Sequence, residues 1–139
     1  MSRAIIVIEA GAVAAMSAGG MAAALFCLLS GSPLIVLLSP LIVVVGTAYA
    51  LPHVALLGLP IYLLLSRLWR VDWWNATVLG ALIGGVPTTL LLFGGMSEPA
   101  AEGELAAGAA IFGFCAACGT AAGYAFWHRL ARSELWKQT

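Results

Sequence analysis

The sequence predicts an all-α membrane protein, a four-helix transmembrane bundle with both termini on the cytoplasmic side (N-in/C-in). Three observations carry that prediction. First, 63% of the 139 residues are hydrophobic and 9% are charged, against roughly 25% charged in soluble domains, and the mean hydropathy is +1.05. A water-soluble fold of this size has too little interior to hide so much apolar surface. Second, the charges fall between or beyond long apolar stretches, with Glu9 the exception. A bilayer enforces that arrangement, because a charge at its centre costs about 3 kcal/mol or more. Third, Lys and Arg gather at one set of helix ends. Residues 1–139 therefore read as a single integral membrane domain.

A span needs about 20 apolar residues at 1.5 Å rise to cross a core of roughly 30 Å. The first falls at about 4–30. Ala and Gly dominate it, as in Ala18-Gly-Gly-Met-Ala-Ala-Ala24. Arg3 before an apolar run also fits a cleaved signal peptide, but Glu9 interrupts the run and no soluble domain follows a small-x-small site, so a retained span is expected. The uncharged stretch Leu34–Ser66 is too long for one straight crossing, about 50 Å as a helix, and too short for two. It reads as a span at about 41–66, preceded by a turn and apolar shoulder over Gly31–Pro40, where Pro33 and Pro40 suit a break. The third span, about 76–96, follows the polar break Arg67–Asn75. The fourth, about 105–127, follows the acidic loop Ser97–Glu104.

Orientation comes from the basic residues. Arg3 precedes span one, Arg67 and Arg70 follow span two, and His128, Arg129, Arg132 and Lys137 follow span four. Four crossings put all of these on one side, expected to be the cytoplasm of a bacterial inner membrane. Glu98, Glu102 and Glu104 fall opposite. All five tryptophans (Trp69, Trp73, Trp74, Trp127, Trp136) cluster near the basic ends, where indole favours the headgroup layer.

In lipid the hydrophobic effect does not drive helix against helix, so close backbone approach matters more. Gly80 and Gly84 form a small-xxx-small pair in span three. Gly119 and Gly123 form another in span four, and Cys115 extends that face by a turn. These faces are expected to meet each other, or one of them to meet a partner. Pro52, Pro60 and Pro87 lie inside spans and should kink them, with Thr88 and Thr89 placed to satisfy backbone groups near Pro87.

Candidate chemistry is sparse. His53 sits near the middle of span two, where an imidazole needs a hydrogen-bond partner and where ionisable groups often mark proton or ion paths. A neutral histidine bonded to a neighbouring carbonyl or threonine is the competing reading. Glu9 on a four-helix chain resembles the small multidrug antiporters, whose first-span carboxylate exchanges protons for cationic substrate. The aromatic surroundings that resemblance implies are missing from Ile5–Ile8, Ala10 and Gly11. Glu9 lies about 8 Å of helix from Ala4, close enough to reach the interface, and reads as interfacial. Cys115-Ala-Ala-Cys118 resembles the CxxC of four-helix quinone-linked and vitamin-K-reductase-type enzymes. Those families also need loop cysteines to relay electrons, and this chain adds only Cys27. Small, buried apolar cysteines explain all three. Asn75-Ala-Thr77 matches a glycosylation sequon but falls on the expected cytoplasmic side. No phosphate loop, cofactor motif, metal-ligand spacing or basic nucleic-acid patch is present.

The functional expectation is a non-catalytic accessory or structural subunit in the lipid bilayer, without a cofactor, packing on a membrane-protein partner or on itself. The alternative is a small channel or transporter, possible as a homo-oligomer, using His53 and the kinked second span. Thiol redox chemistry at Cys115 and Cys118 ranks third.

Overall fold

A computed structural model of the protein describes residues 3–68, 72–93 and 102–133. Their regular structure is all helical, with no strand among the described residues. Helix α1 spans Arg3–Ser30 and α2 spans Pro33–His53. A π-helical turn, Val54–Gly58, joins α2 to α3, Leu59–Leu68. Helix α4 spans Trp73–Phe93 and α5 spans Glu102–Ala131. Four stretches are long and apolar enough to cross a membrane: Ala4–Ser30, Pro33–Leu64, Trp73–Leu91 and Gly103–Ala131. Met96, Glu98, Trp69, Arg70, Trp136 and Lys137 lie outside the described residues.

The turn between the first two spans is shorter than the expected Gly31–Pro40. It consists of Gly31 and Ser32 alone. Gly31 takes φ +59°, the left-handed stop that glycine supplies after a helix, and its N–H bonds Cys27 O at 3.3 Å. Pro33 then occupies the first turn of α2, where a missing N–H costs nothing. The helix runs on through Pro40 instead of starting after it. Pro40 cannot donate to Val36 O, but the Ser39 hydroxyl donates to that carbonyl at 2.8 Å, so the position carries no orphan acceptor. The second crossing thereby becomes the long rod that chain length alone argued against.

The irregularity in that rod falls at Val54–Gly58, between Pro52 and Pro60. Leu59 N–H reaches back five residues to Val54 O. Pro60 has no N–H to continue an α pattern behind it, so the prolines express themselves here as a π turn. In α4 the Thr88 and Thr89 hydroxyls donate to Gly84 O at 3.1 Å and Gly85 O at 2.8 Å. These are the carbonyls beside the one that Pro87 leaves free, that of Ile83.

Packing is organised by small residues. Among the described residues the buried hydrophobic ones are Ala10, Ala14, Ala15, Ala18, Ala22, Ala23, Ala76, Ala122 and Leu130, the last the one large side chain of the set. Large side chains point outward instead, Leu28, Leu37 and Leu91 being at least three-quarters exposed. That inversion suits a chain solvated by hydrocarbon, where helices gain by backbone approach and not by hiding leucines. It also suits α1, rich in Ala and Gly, to an inner place in the bundle, where it packs on both α2 and α5. Gly19 and Gly46 bring α1 and α2 together so tightly that a Cβ on Gly46 would stand 3.0 Å from Gly19 Cα. Between α4 and α5, Gly80 faces Gly119 and Gly123, and Gly84 faces Gly119 and the Cys115 carbonyl.

The helices therefore follow one another as α2, α1, α5, α4, each packed on the next. Helices α2 and α4, at the two ends of this arc, have no extended contact. At one end of the bundle Arg129 Nη2 of α5 bonds Glu9 Oε2 of α1 at 2.7 Å, so the start of α1 and the end of α5 lie on the same side.

Candidate functional site

The open side of the arc is a cleft of about 570 Å³. Ala14, Ala18 and Ala22 of α1 form its floor, Gly46 and Ala50 of α2 one wall, and Gly80 and Gly84 of α4 the other. Helix α5 contributes Cys115, Cys118 and Ala122 to the same space. Two aromatic pairs sit along α5: Phe26 of α1 meets Phe114 edge-on at 5.3 Å, and Tyr62 of α3 meets Phe126 at 5.0 Å. Small residues at helical spacing leave room in the middle of this space, and larger side chains, among them Leu41, Leu79, Phe26 and Phe126, line the rest of it.

His53 lies on the α2 wall, immediately before the π turn. Its Nδ1 stands 3.1 Å from Tyr49 O, one turn earlier, and the two rings lie 4.8 Å apart. Tyr49 Oη is 3.5 Å from Thr88 Oγ1, a long hydrogen bond that crosses from α2 to α4. Thr88 is buried, and its own proton goes to Gly84 O. Two separate polar contacts, His53 with the Tyr49 carbonyl and the Tyr49 hydroxyl with Thr88, thus lie beside an otherwise apolar space, which His53 and Tyr49 line. Sequence marks His53 as a candidate site residue and Thr88 only as a partner for backbone groups near Pro87. Tyr49 could have been found from its spacing, since residues four apart share a helix face; the contact of Thr88 with Tyr49 has no local signal, because it depends on where α4 packs.

Glu9 is not part of this site. Its carboxylate is held by Arg129 near the end of the bundle, and Glu9 is not among the residues that line the cleft. An ion pair between the first and last crossings is a further feature that sequence order hides, the partners being 120 residues apart. Cys115 and Cys118 face the cleft and, like Cys27, are free thiols. The Cys115 carbonyl is also the surface against which Gly84 packs. Pro52 and Pro60 bracket the π turn beside His53, whereas Pro87 lies on α4 next to Thr88. Among the described residues no group of three histidine, cysteine or carboxylate side chains is placed to hold a metal ion.

The arrangement defines a class: a bundle of helices long and apolar enough to cross a membrane, with a mostly apolar cleft whose wall carries His53 and Tyr49. Comparison with protein families, with curated proteins and with solved structures yields no match.

Proposed function

We propose that the protein is a small non-enzymatic carrier, which takes an apolar molecule from the bilayer into the cleft between α2 and α4. The observation that supports this reading is the cleft itself. Its volume, about 570 Å³, falls within the roughly 300–1,000 Å³ of small-molecule sites, and apolar walls with few polar groups are typical of them. An intramembrane histidine and a π turn at the same level add weight, since both recur at functional sites. The membrane is proposed to be a bacterial inner membrane, with the Arg129 end of the bundle cytoplasmic, on the strength of the basic residues.

An accessory subunit is the second reading, favoured by the small residues along the open side, which suit close approach of a partner helix. Two features weigh against it. The Gly80/Gly84 and Gly119/Gly123 faces are consumed within the chain, and the Tyr49–Thr88 contact crosses the opening where a continuous helix would run. Native mass spectrometry of protein released gently from its own membranes separates the two. The carrier reading expects a small-molecule adduct on the wild type that the cleft-filling substitution Ala50→Trp removes. A stoichiometric polypeptide partner and no small-molecule adduct would replace it with the accessory reading.

A further inference from the structure

The polar contacts of His53 and Tyr49, both on the cleft wall, have directions, and those directions select an occupant. Tyr49 O is a carbonyl and can only accept, so the proton in its bond with His53 belongs to Nδ1. In the neutral imidazole the other nitrogen, Nε2, then presents a lone pair. The same bookkeeping applies one turn away. The Thr88 hydroxyl spends its proton on Gly84 O, so in the Tyr49–Thr88 contact the tyrosine donates and the threonine accepts. Tyr49 is left with oxygen lone pairs and no proton to offer. Cys115 and Cys118 share the cleft, but a thiol is a weak donor. At the level of His53 the protein therefore presents acceptors; Tyr62, the other phenol on the cleft, lies about 13 Å of helix further along.

We infer that the cleft takes an apolar molecule carrying one hydrogen-bond donor, of which a long-chain alcohol is the simplest case, with its hydroxyl donating to His53 Nε2. This rests on the carrier reading and narrows it to a chemical class. An ether or ester of the same shape offers only acceptors, so it leaves Nε2 unmatched and gains nothing over plain hydrocarbon. A donor in the bilayer interior has few competing partners, which makes even one acceptor selective. Nδ1 also anchors the ring to its own helix, so Nε2 is fixed in place before the ligand arrives.

The test uses the full chain in lipid nanodiscs with ¹⁵N-labelled histidine. The chain has two histidines, and His128, near the end of α5, serves as the internal reference. Titration with 1-dodecanol should shift His53 Nε2 saturably and leave His128 unmoved, while dodecyl methyl ether should shift neither. His53→Leu should weaken alcohol binding about five-fold, the weight of one neutral hydrogen bond, and leave ether binding unchanged. Gel filtration of this variant as a monodisperse species shows that the bundle persists. Equal effects of alcohol and ether, or no response at His53 while a photoreactive alcohol still labels the cleft, would overturn the donor inference and leave the carrier reading standing. No shift together with no cleft labelling would remove both.

Discussion

Replacing Gly119 with alanine tests the packing that holds the cleft in shape. A Cβ at this position would run into the Gly80 carbonyl oxygen, stand 2.8 Å from the carbonyl carbon, and lie 3.2 Å from Gly84 Cα. All three are backbone atoms, so no side-chain rotation relieves the clash. Ordinary contact begins at 3.4 Å, so the carbonyl carbon alone would require a retreat of 0.6 Å (3.4 less 2.8), and the nearer carbonyl oxygen requires more. A gap of about 0.5–1 Å forfeits a quarter to a half of the attraction of each atom pair it opens, and overpacking of this kind costs about 1–3 kcal/mol. Alanine itself favours a helix over glycine by about 0.5–1 kcal/mol, so the comparison needs a control. Gly113→Ala supplies it on the same helix, because a Cβ there meets nothing within 4 Å. The propensity gain cancels between the two variants, and Gly119→Ala should be the less stable by about 1–3 kcal/mol. Reversible unfolding in mixed micelles of rising SDS fraction measures the difference. Coincident curves for the two variants would mean that α4 and α5 do not meet along this glycine seam.

Other outcomes follow from individual contacts. Thr47 carries a buried hydroxyl with no hydrogen-bond partner, so Thr47→Val should raise stability by about 1 kcal/mol in the same titration; a loss would mean that the hydroxyl is satisfied. The Glu9–Arg129 pair is 41% and 45% exposed at its two side chains, so Glu9→Gln should cost no more than about 1 kcal/mol. The swap Glu9→Arg with Arg129→Glu should recover most of that cost, whereas failure of the swap would place the two residues apart. Intact mass of the protein alkylated without prior reduction should show three modified thiols, while a Cys115–Cys118 disulfide would revive the redox alternative.

Much of the architecture is legible in the sequence because lipid imposes simple rules on length and charge. Four apolar stretches, and glycine pairs at helical spacing in the last two, follow from counting and periodicity. The α2 boundary is not legible in the same way. Pro33 and Pro40 look alike as breaking signals, and what separates them is local: Pro33 sits where no N–H is needed, and Ser39 supplies the donor that Pro40 lacks. The cleft is less legible still. It arises from the order in which helices pack, and that order depends on which Ala and Gly faces meet. Gly46 looks like any glycine in an apolar run until Gly19 lies against it. His53 stands out as a lone imidazole, but whether it acts as donor or acceptor is decided by Tyr49 O and by its own helix.

The central claim is that the space between α2 and α4 receives an apolar molecule from the bilayer. The most direct measurement is photolabelling of the full chain in nanodiscs with a diazirine-bearing long-chain alcohol, the modified positions being mapped by peptide mass spectrometry. The account predicts label at cleft positions such as Ala18, Ala50 and Cys118, competed away by excess 1-dodecanol and lost in Ala50→Trp. Label confined to outward-facing residues such as Leu37 and Leu91, indifferent to competitor and to Ala50→Trp, would contradict it.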